Sequence, residues 1–348
     1  MKFANSKIEI FIFLIIVFYL LNILSSLLIP LAFAYLAASL FQPVINYLLN
    51  KKIPKWLIYP LVIIFSLSFI FLVVLVFSSS ISEFVQQQSY FEERLATKFI
   101  PFIDSLNSFM LNYFGTELKL NEALGEILKS DFLTSAVGSF INAIGDFTSS
   151  FIIFAFYYIV FLITMNGYKE YLNYVKGEKN DKVVIENYEK IQTSIFTYVK
   201  VKIIVSIFTA VLVYVVLIIF GVKFAFLWGL LTFLLNFIPI VGSLIAVILP
   251  TLMGVIQFDS FSTIVILFIL LETSQVIVGN VVEPIMMGNS LRLNTITTMF
   301  GLVFWGFIWG IPGMLLSMPL VVIFKILFEQ STDLAFLGRI LGTPEPTK

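Results

Sequence analysis

A single carboxylate, Glu272, stands near the middle of Ser262–Val282, a run otherwise apolar enough to cross a bilayer. A charge at that depth costs roughly 3 kcal/mol or more, so the side chain must face a cavity or a partner. Desolvation raises the pKa of a carboxyl group, which would let Glu272 bind and release a proton. Thr273, Ser274 and Gln275 follow it directly and could help it coordinate a cation or a polar solute. The other reading is a protonated Glu hydrogen-bonded between packed helices, and the sequence leaves both open. Asn280, two helical turns further on, adds a polar group to the same run, and Glu283 stands at its interfacial end. Glu283 is either a solvated helix terminus or part of a gate.

The residues that are missing narrow the chemistry. The chain has no His and no Cys. Imidazole and thiolate metal sites are therefore excluded, and proton chemistry falls to carboxylates and lysines. No G-x-x-x-x-G-K-[ST] loop occurs, and without His an H-E-x-x-H protease site is impossible. Asn142-Ala143-Ile144-Gly145-Asp146 is similar to the G-x-G-D of membrane aspartyl proteases, but Ala143 replaces the first Gly and Asp146 lies at the edge of its span. No enzyme activity, cofactor or metal is expected. Net charge is zero, which gives no footprint for nucleic acid.

The elements that position Glu272 follow from hydropathy. Hydrophobic residues make up 59% of the 348 and charged ones 12%, far from the balance of a soluble domain. The expected class is all-α and polytopic, with six to eight membrane helices and lipids as partners. Runs near 20 apolar residues mark spans at Ile10–Ile29, Leu31–Leu49 (interrupted at Gln42-Pro43), Trp56–Phe77, Thr148–Met165, Ile203–Gly221 and Ser262–Val282. The first is too long for a signal-peptide core and reads as a retained span. Ser78–Phe147 has helical spacing with recurring charge and reads as amphipathic helices outside the hydrocarbon.

Two further stretches are broken. Phe224–Phe258 is interrupted at Asn236-Phe237-Ile238-Pro239-Ile240-Val241-Gly242-Ser243, and Thr295–Phe328 at Gly310-Ile311-Pro312-Gly313. Their arms are short for a full crossing, and paired interrupted segments of this kind point to a transporter binding site. Re-entrant hairpins or two helices joined by a tight turn would both fit. Asn236 could line a pathway or cap a broken helix, with capping favoured, and Ser243 follows the break. Gly242, Gly310 and Gly313 suit turns and close packing, and Trp305 and Trp309 suit packing or interfacial anchoring.

Lysine and arginine give an orientation. Lys2, Lys7, Lys51, Lys52, Lys55 and the lysines of Asn166–Lys202 fall on one side, and the acidic Ser78–Phe147 on the other. Both termini are therefore expected in the cytoplasm of a cell bounded by an inner membrane. The expected organisation is N-terminal helices 1–77, an outer region 78–147, a fourth span with a cytoplasmic segment 148–202, a transport core 203–329 and a tail 330–348.

At these motifs the chain resembles the autoinducer-2 exporter (AI-2E) family. Tyr198-Val199-Lys200-Val201-Lys202 with Ser206, the stretch Phe233–Ser243, Gly279-Asn280-Val281-Val282-Glu283-Pro284-Ile285-Met286-Met287-Gly288, Phe304-Trp305-Gly306 and Gly313-Met314-Leu315-Leu316-Ser317-Met318-Pro319-Leu320 carry the resemblance. It implies a homo-oligomeric multi-pass secondary transporter that exports a small polar signal of the autoinducer-2 type. Sodium (lithium)/proton antiport is the other activity it implies. Ile240 departs from the polar residue often found at its place, which puts autoinducer-2 itself in question. A scaffold or regulator acting through Ser78–Phe147 is the reading from a different class. The pathway residues expected are Glu272, Thr273, Gln275, Asn280, Asn236 and Ser243. The gating or motif residues are Lys202, Pro239, Gly242, Glu283, Pro284, Gly288, Trp305, Gly306, Gly310, Gly313 and Pro319.

Overall fold

The computed structural model describes residues 2–86, 150–165, 181–288, 293–331 and 334–343, and also 93, 94, 97, 98, 108, 111, 112 and 167. Most of the expected outer region 78–147, including Asp146, lies outside the described residues, as does most of 166–180.

The described chain is all-α. In order it forms α1 (Lys2–Ile23), α2 (Ser25–Asn50), α3 (Lys55–Gln86), α4 (Ser150–Met165), α5 (Asp181–Ile219), α6 (Ala225–Leu235), α7 (Val241–Gln257), α8 (Phe261–Met287), α9 (Thr295–Gln330) and α10 (Ala335–Leu341). Five of these contain stretches long and apolar enough to cross a membrane: α2, α3, α5, α8 and α9. Large apolar side chains such as Phe65, Phe69 and Phe307 are left on the outside, where lipid tails can cover them.

Three boundaries differ from the sequence expectation. The first break falls at Leu24 and not at Pro30, so Pro30 and Pro43 both lie inside α2. A proline inside a helix costs about 3 kcal/mol. Tight packing holds α2 together: Ala34, Ala38 and Ile45 share one face and are fully buried against α3 and α4. In the same cluster the Tyr158 hydroxyl donates to Ser66 Oγ at 2.8 Å, which satisfies a polar group at membrane depth. The second difference is α5, where the charged segment and the fifth span merge into one helix of 39 residues, about 58 Å long. No Gly or Pro lies between Asp181 and Ile219 to stop it, and Gly221 at φ 66° ends it. The third is α8, where the expected clean span widens into a π-helical turn at Val278–Val282.

Both broken stretches fold back on themselves. In hairpin A, α6 and α7 reverse at Asn236–Ile240, and Gln257 ties the open end. Its Nε2 donates to the Gly221 carbonyl at 2.6 Å and its Oε1 accepts from the Lys223 amide at 2.9 Å. In hairpin B, α9 reverses at Gly310, whose φ of 62° and ψ of −141° suit only glycine. Its arms pack Trp305 against Phe324 with ring centroids 6.0 Å apart. The hairpins open at opposite ends of α5. Hairpin A opens beside Gly221 at the C-terminal end, whereas Glu329 at the open end of hairpin B pairs with Lys190 near the N-terminal end at 3.3 Å.

Candidate functional site

A polar stripe runs down α5. Tyr198, Lys202 and Ser206 recur every four residues and Thr209 follows, so all four share one helix face. All are buried. Opposite them on α8, Glu272, Gln275, Val276, Gly279, Asn280 and Glu283 recur at spacings of three and four. The π turn lies between Gln275 and Glu283, and its bond runs from the Glu283 amide to the Val278 carbonyl. Such single wide turns recur at functional sites because they re-aim the residues that follow.

The third wall is the tip of hairpin A. Val241 N donates to the Pro239 carbonyl at 2.6 Å across Ile240, whose φ is 63° and ψ −59°. This is a γ-turn of the rare, strained hand, here centred on a β-branched residue. Gly242 allows the tip to close. A Cβ at that position would stand 1.8 Å from the Leu235 carbonyl oxygen. Gly313 does the same in hairpin B, where a Cβ would stand 1.9 Å from the Trp305 carbonyl oxygen.

These walls border a half-open cavity of about 680 Å³. Tyr198, Lys202 and Gln275 supply buried polar side chains to it, Asn236 a partly buried one, and Glu272 and Asn280 exposed ones. Thr298 and Met318 of hairpin B, with Leu293 and Thr343, line the end away from the open end of hairpin A. Lys202 Nζ meets Glu283 Oε1 at 2.5 Å, so the cation of this cavity is already paired. Tyr198 Oη and Gln275 Nε2 are sealed from water and have no hydrogen-bond partner.

The cavity brings together most of the expected pathway residues: Glu272, Gln275, Asn280, Asn236 and Ser243 all line it. Of the gating set, Lys202, Pro239, Glu283, Pro284 and Gly288 line it as well. Three expectations change. Thr273 is exposed on α8 and takes no part in the lining, because one residue turns a helix by 100°. Asn236 holds the C-cap position of α6, but its side chain does not cap. Its Nδ2 donates to Ser206 Oγ on α5 at 3.0 Å and fastens the tip of hairpin A to that helix. Trp305, Gly306, Gly310, Gly313 and Pro319 lie outside the lining and build hairpin B. Trp305 and Trp309 are buried in its packing, and Trp309 Nε1 donates to the Leu21 carbonyl of α1 at 2.9 Å. Glu272 lies on the cavity wall and is exposed within the single chain. Sequence reasoning missed Tyr198 as a site residue, although its four-residue register with Lys202 and Ser206 on an apolar helix was a readable signal.

A profile of the AI-2E family transporters matches residues 8–333. A predicted transport protein of Haemophilus influenzae is 27% identical over 93% of this chain and 92% of its own length. One of Borreliella burgdorferi is 29% identical over 91% of this chain and 84% of its own. The AI-2 transport protein TqsA of Escherichia coli is 43% identical over 110 residues, 32% of each chain.

Proposed function

This chain belongs to the AI-2E family of bacterial membrane transporters, and from that premise we propose that it is a secondary transporter exporting a small polar metabolite or signal through the cavity between α5, α8 and hairpin A. The observation that carries the reading is the cavity itself, about 680 Å³ with polar and apolar side chains in its lining, at the meeting point of a broken hairpin and a π-bulged span. In a membrane, irregular backbone is tolerated where protein or a wet cavity satisfies it. Hairpin A separates the chamber from one face of the bilayer. Leu293 and Thr343 mark its approach to the other, which we place in the cytoplasm with both termini. A compound of the autoinducer-2 type is small enough to enter this cavity, and one relative carries that cargo in its name.

The test is efflux from vesicles of an inner-membrane preparation that holds the protein, with and without imposed proton and sodium gradients. Export of the autoinducer-2 furanone that depends on the protein and saturates supports the proposal. Its absence under every gradient would sink it. A second reading, sodium (lithium)/proton antiport, is favoured by the carboxylate of Glu272 on the cavity wall. Glu272→Gln separates the two. An antiporter loses sodium-driven proton movement, whereas a proton-independent exporter keeps its flux.

A further inference from the structure

We propose that Tyr198 and Gln275 are the cargo-recognising donors of this cavity, that they take an uncharged oxygen acceptor such as a hydroxyl or carbonyl, and that the charges around them turn anions away. The inference rests on the transport reading above and adds to it the residues that select.

The first observation is the pair of orphaned atoms. Tyr198 is 2% exposed and Gln275 7% exposed. Tyr198 Oη and Gln275 Nε2 are shut off from water without a partner. A buried polar atom left unpaired is costly, and native folds rarely keep one without a use. Two of them in one cavity lining, on helices that face each other, are better accounted for by an absent ligand than by two separate defects. Both residues also belong to the lining of the cavity, so a turn of either side chain toward it is what would bring its donor to a molecule there. The Gln275 amide nitrogen can only donate, and a phenol donates readily, so the partner must present acceptors.

The second observation is charge. Among the described residues, the lining carries Lys202 and two carboxylates, Glu272 and Glu283. Lys202 is engaged by Glu283 at 2.5 Å. An anionic cargo at Tyr198 and Gln275 would have to displace Glu283 from Lys202 or lie close to the carboxylate of Glu272. A neutral acceptor meets neither obstacle. Asn236 of hairpin A and Asn280 of α8 also line the cavity, and their amide oxygens can accept from hydroxyls of such a molecule.

The experiment uses the full chain, purified into lipid nanodiscs, and three five-carbon probes of nearly equal shape: xylitol, xylonate and 1-amino-1-deoxyxylitol. Thermal unfolding and equilibrium binding are read for the wild type, Tyr198→Phe and Gln275→Met. The expected result is saturable protection by xylitol in the wild type, with xylonate at least tenfold weaker. In each variant, xylitol affinity falls about tenfold. The ligand-free Tyr198→Phe protein should unfold at the same temperature as the wild type or higher, since the change removes a hydroxyl that has no partner. A purely structural hydroxyl would instead lower the unfolding temperature and leave affinity alone, and that outcome overturns the proposal. So do the absence of saturable protection in the wild type, equal binding of xylonate, and unchanged affinity in both variants. Donors satisfied only by trapped water would give that last result. The two readings fail separately. Variant-sensitive binding with no xylitol flux in vesicles removes transport and keeps the subsite. Protein-dependent furanone efflux that both variants retain in full removes the subsite and keeps transport.

Discussion

Lys202 on α5 and Glu283 on α8 meet with Nζ and Oε1 2.5 Å apart, side by side with Tyr198 on the wall of the cavity. The lysine side chain is 7% exposed and the glutamate 22%, so neither charge is well solvated without the other. Breaking such a pair from one side leaves a stranded charge, which costs more than removing both charges together. Lys202→Met should lower stability by about 2–4 kcal/mol. Glu283→Gln added to it should return part of that loss, and the reversed pair Lys202→Glu with Glu283→Lys more still. Thermal unfolding of the four proteins in nanodiscs checks this. A double variant no more stable than Lys202→Met would show that the pair is not coupled.

The hairpin tips predict a sharp contrast between glycines. At Gly313 a Cβ would stand 1.9 Å from a backbone carbonyl oxygen, and at Gly242 1.8 Å. Backbone at both tips would have to move, so Gly313→Ala and Gly242→Ala should each cost about 3 kcal/mol or more. At Gly306 the nearest atom is the terminal Cε of Met314, 2.9 Å away, and a flexible thioether can swing aside. Gly306→Ala should therefore stay within about 1 kcal/mol of the wild type. Yield of monodisperse protein and its unfolding temperature distinguish the three, and equal behaviour would contradict the geometry.

How much of this could be read from the sequence depends on the range of the interaction. The membrane class, the two reversals and the glycines at their tips were legible because hydropathy and Gly/Pro punctuation are local signals. Glu272, Gln275, Asn280 and Glu283 were legible one by one, as polar residues in or at the end of an apolar run. The pairing of Lys202 with Glu283 was not, since it joins residues 81 apart in the chain. The unbroken α2 was not legible either. Pro43 argued for an interruption, and only burial of Ala34, Ala38 and Ile45 against α4 outweighs it. For Asn236 the visible break favours capping over lining, because its partner, Ser206 on α5, lies 30 residues away in the chain.

Ile240 carries strain that a single substitution can release. Its φ of 63° is rare for a β-branched residue, and its side chain is 51% exposed, so little packing is lost with it. Holding a residue in such a region costs about 1–3 kcal/mol, and the greater freedom of glycine in the unfolded chain returns about 0.5–1 of that. Ile240→Gly should stabilise the protein by about 1 kcal/mol, seen as a higher unfolding temperature. If the strain holds hairpin A in a conformation needed for transport, the same variant should slow efflux while it stabilises. A lower unfolding temperature would mean that the γ-turn is not a source of strain.

The open end of hairpin A should respond to acid through Asp259. Lys98 donates to the carbonyls of Val255 and Phe258 at the C-terminal end of α7 and pairs with Asp259 at 3.0 Å. An ammonium there takes up carbonyls that the helix leaves unpaired and complements its dipole. The hydrogen bond from Lys98, then its charge, hold the Asp259 carboxyl below the usual carboxylate range, and Arg94 adds to this from further away. A carboxyl whose pKa is lowered on folding contributes stability that is present above its ordinary value and lost as pH falls through the lowered one. The Asp259 contact should therefore be intact at neutral pH and open only well into the acid range. The two carbonyl contacts of Lys98 do not titrate and should persist. Hydrogen exchange of the 255–259 amides checks this: the wild type should show a rise in exchange below pH 4, and Asp259→Asn should exchange slightly faster at neutral pH with no such rise. Lys98→Met should raise exchange at every pH, because it removes all three contacts. An unchanged profile in Asp259→Asn would place the acid response elsewhere.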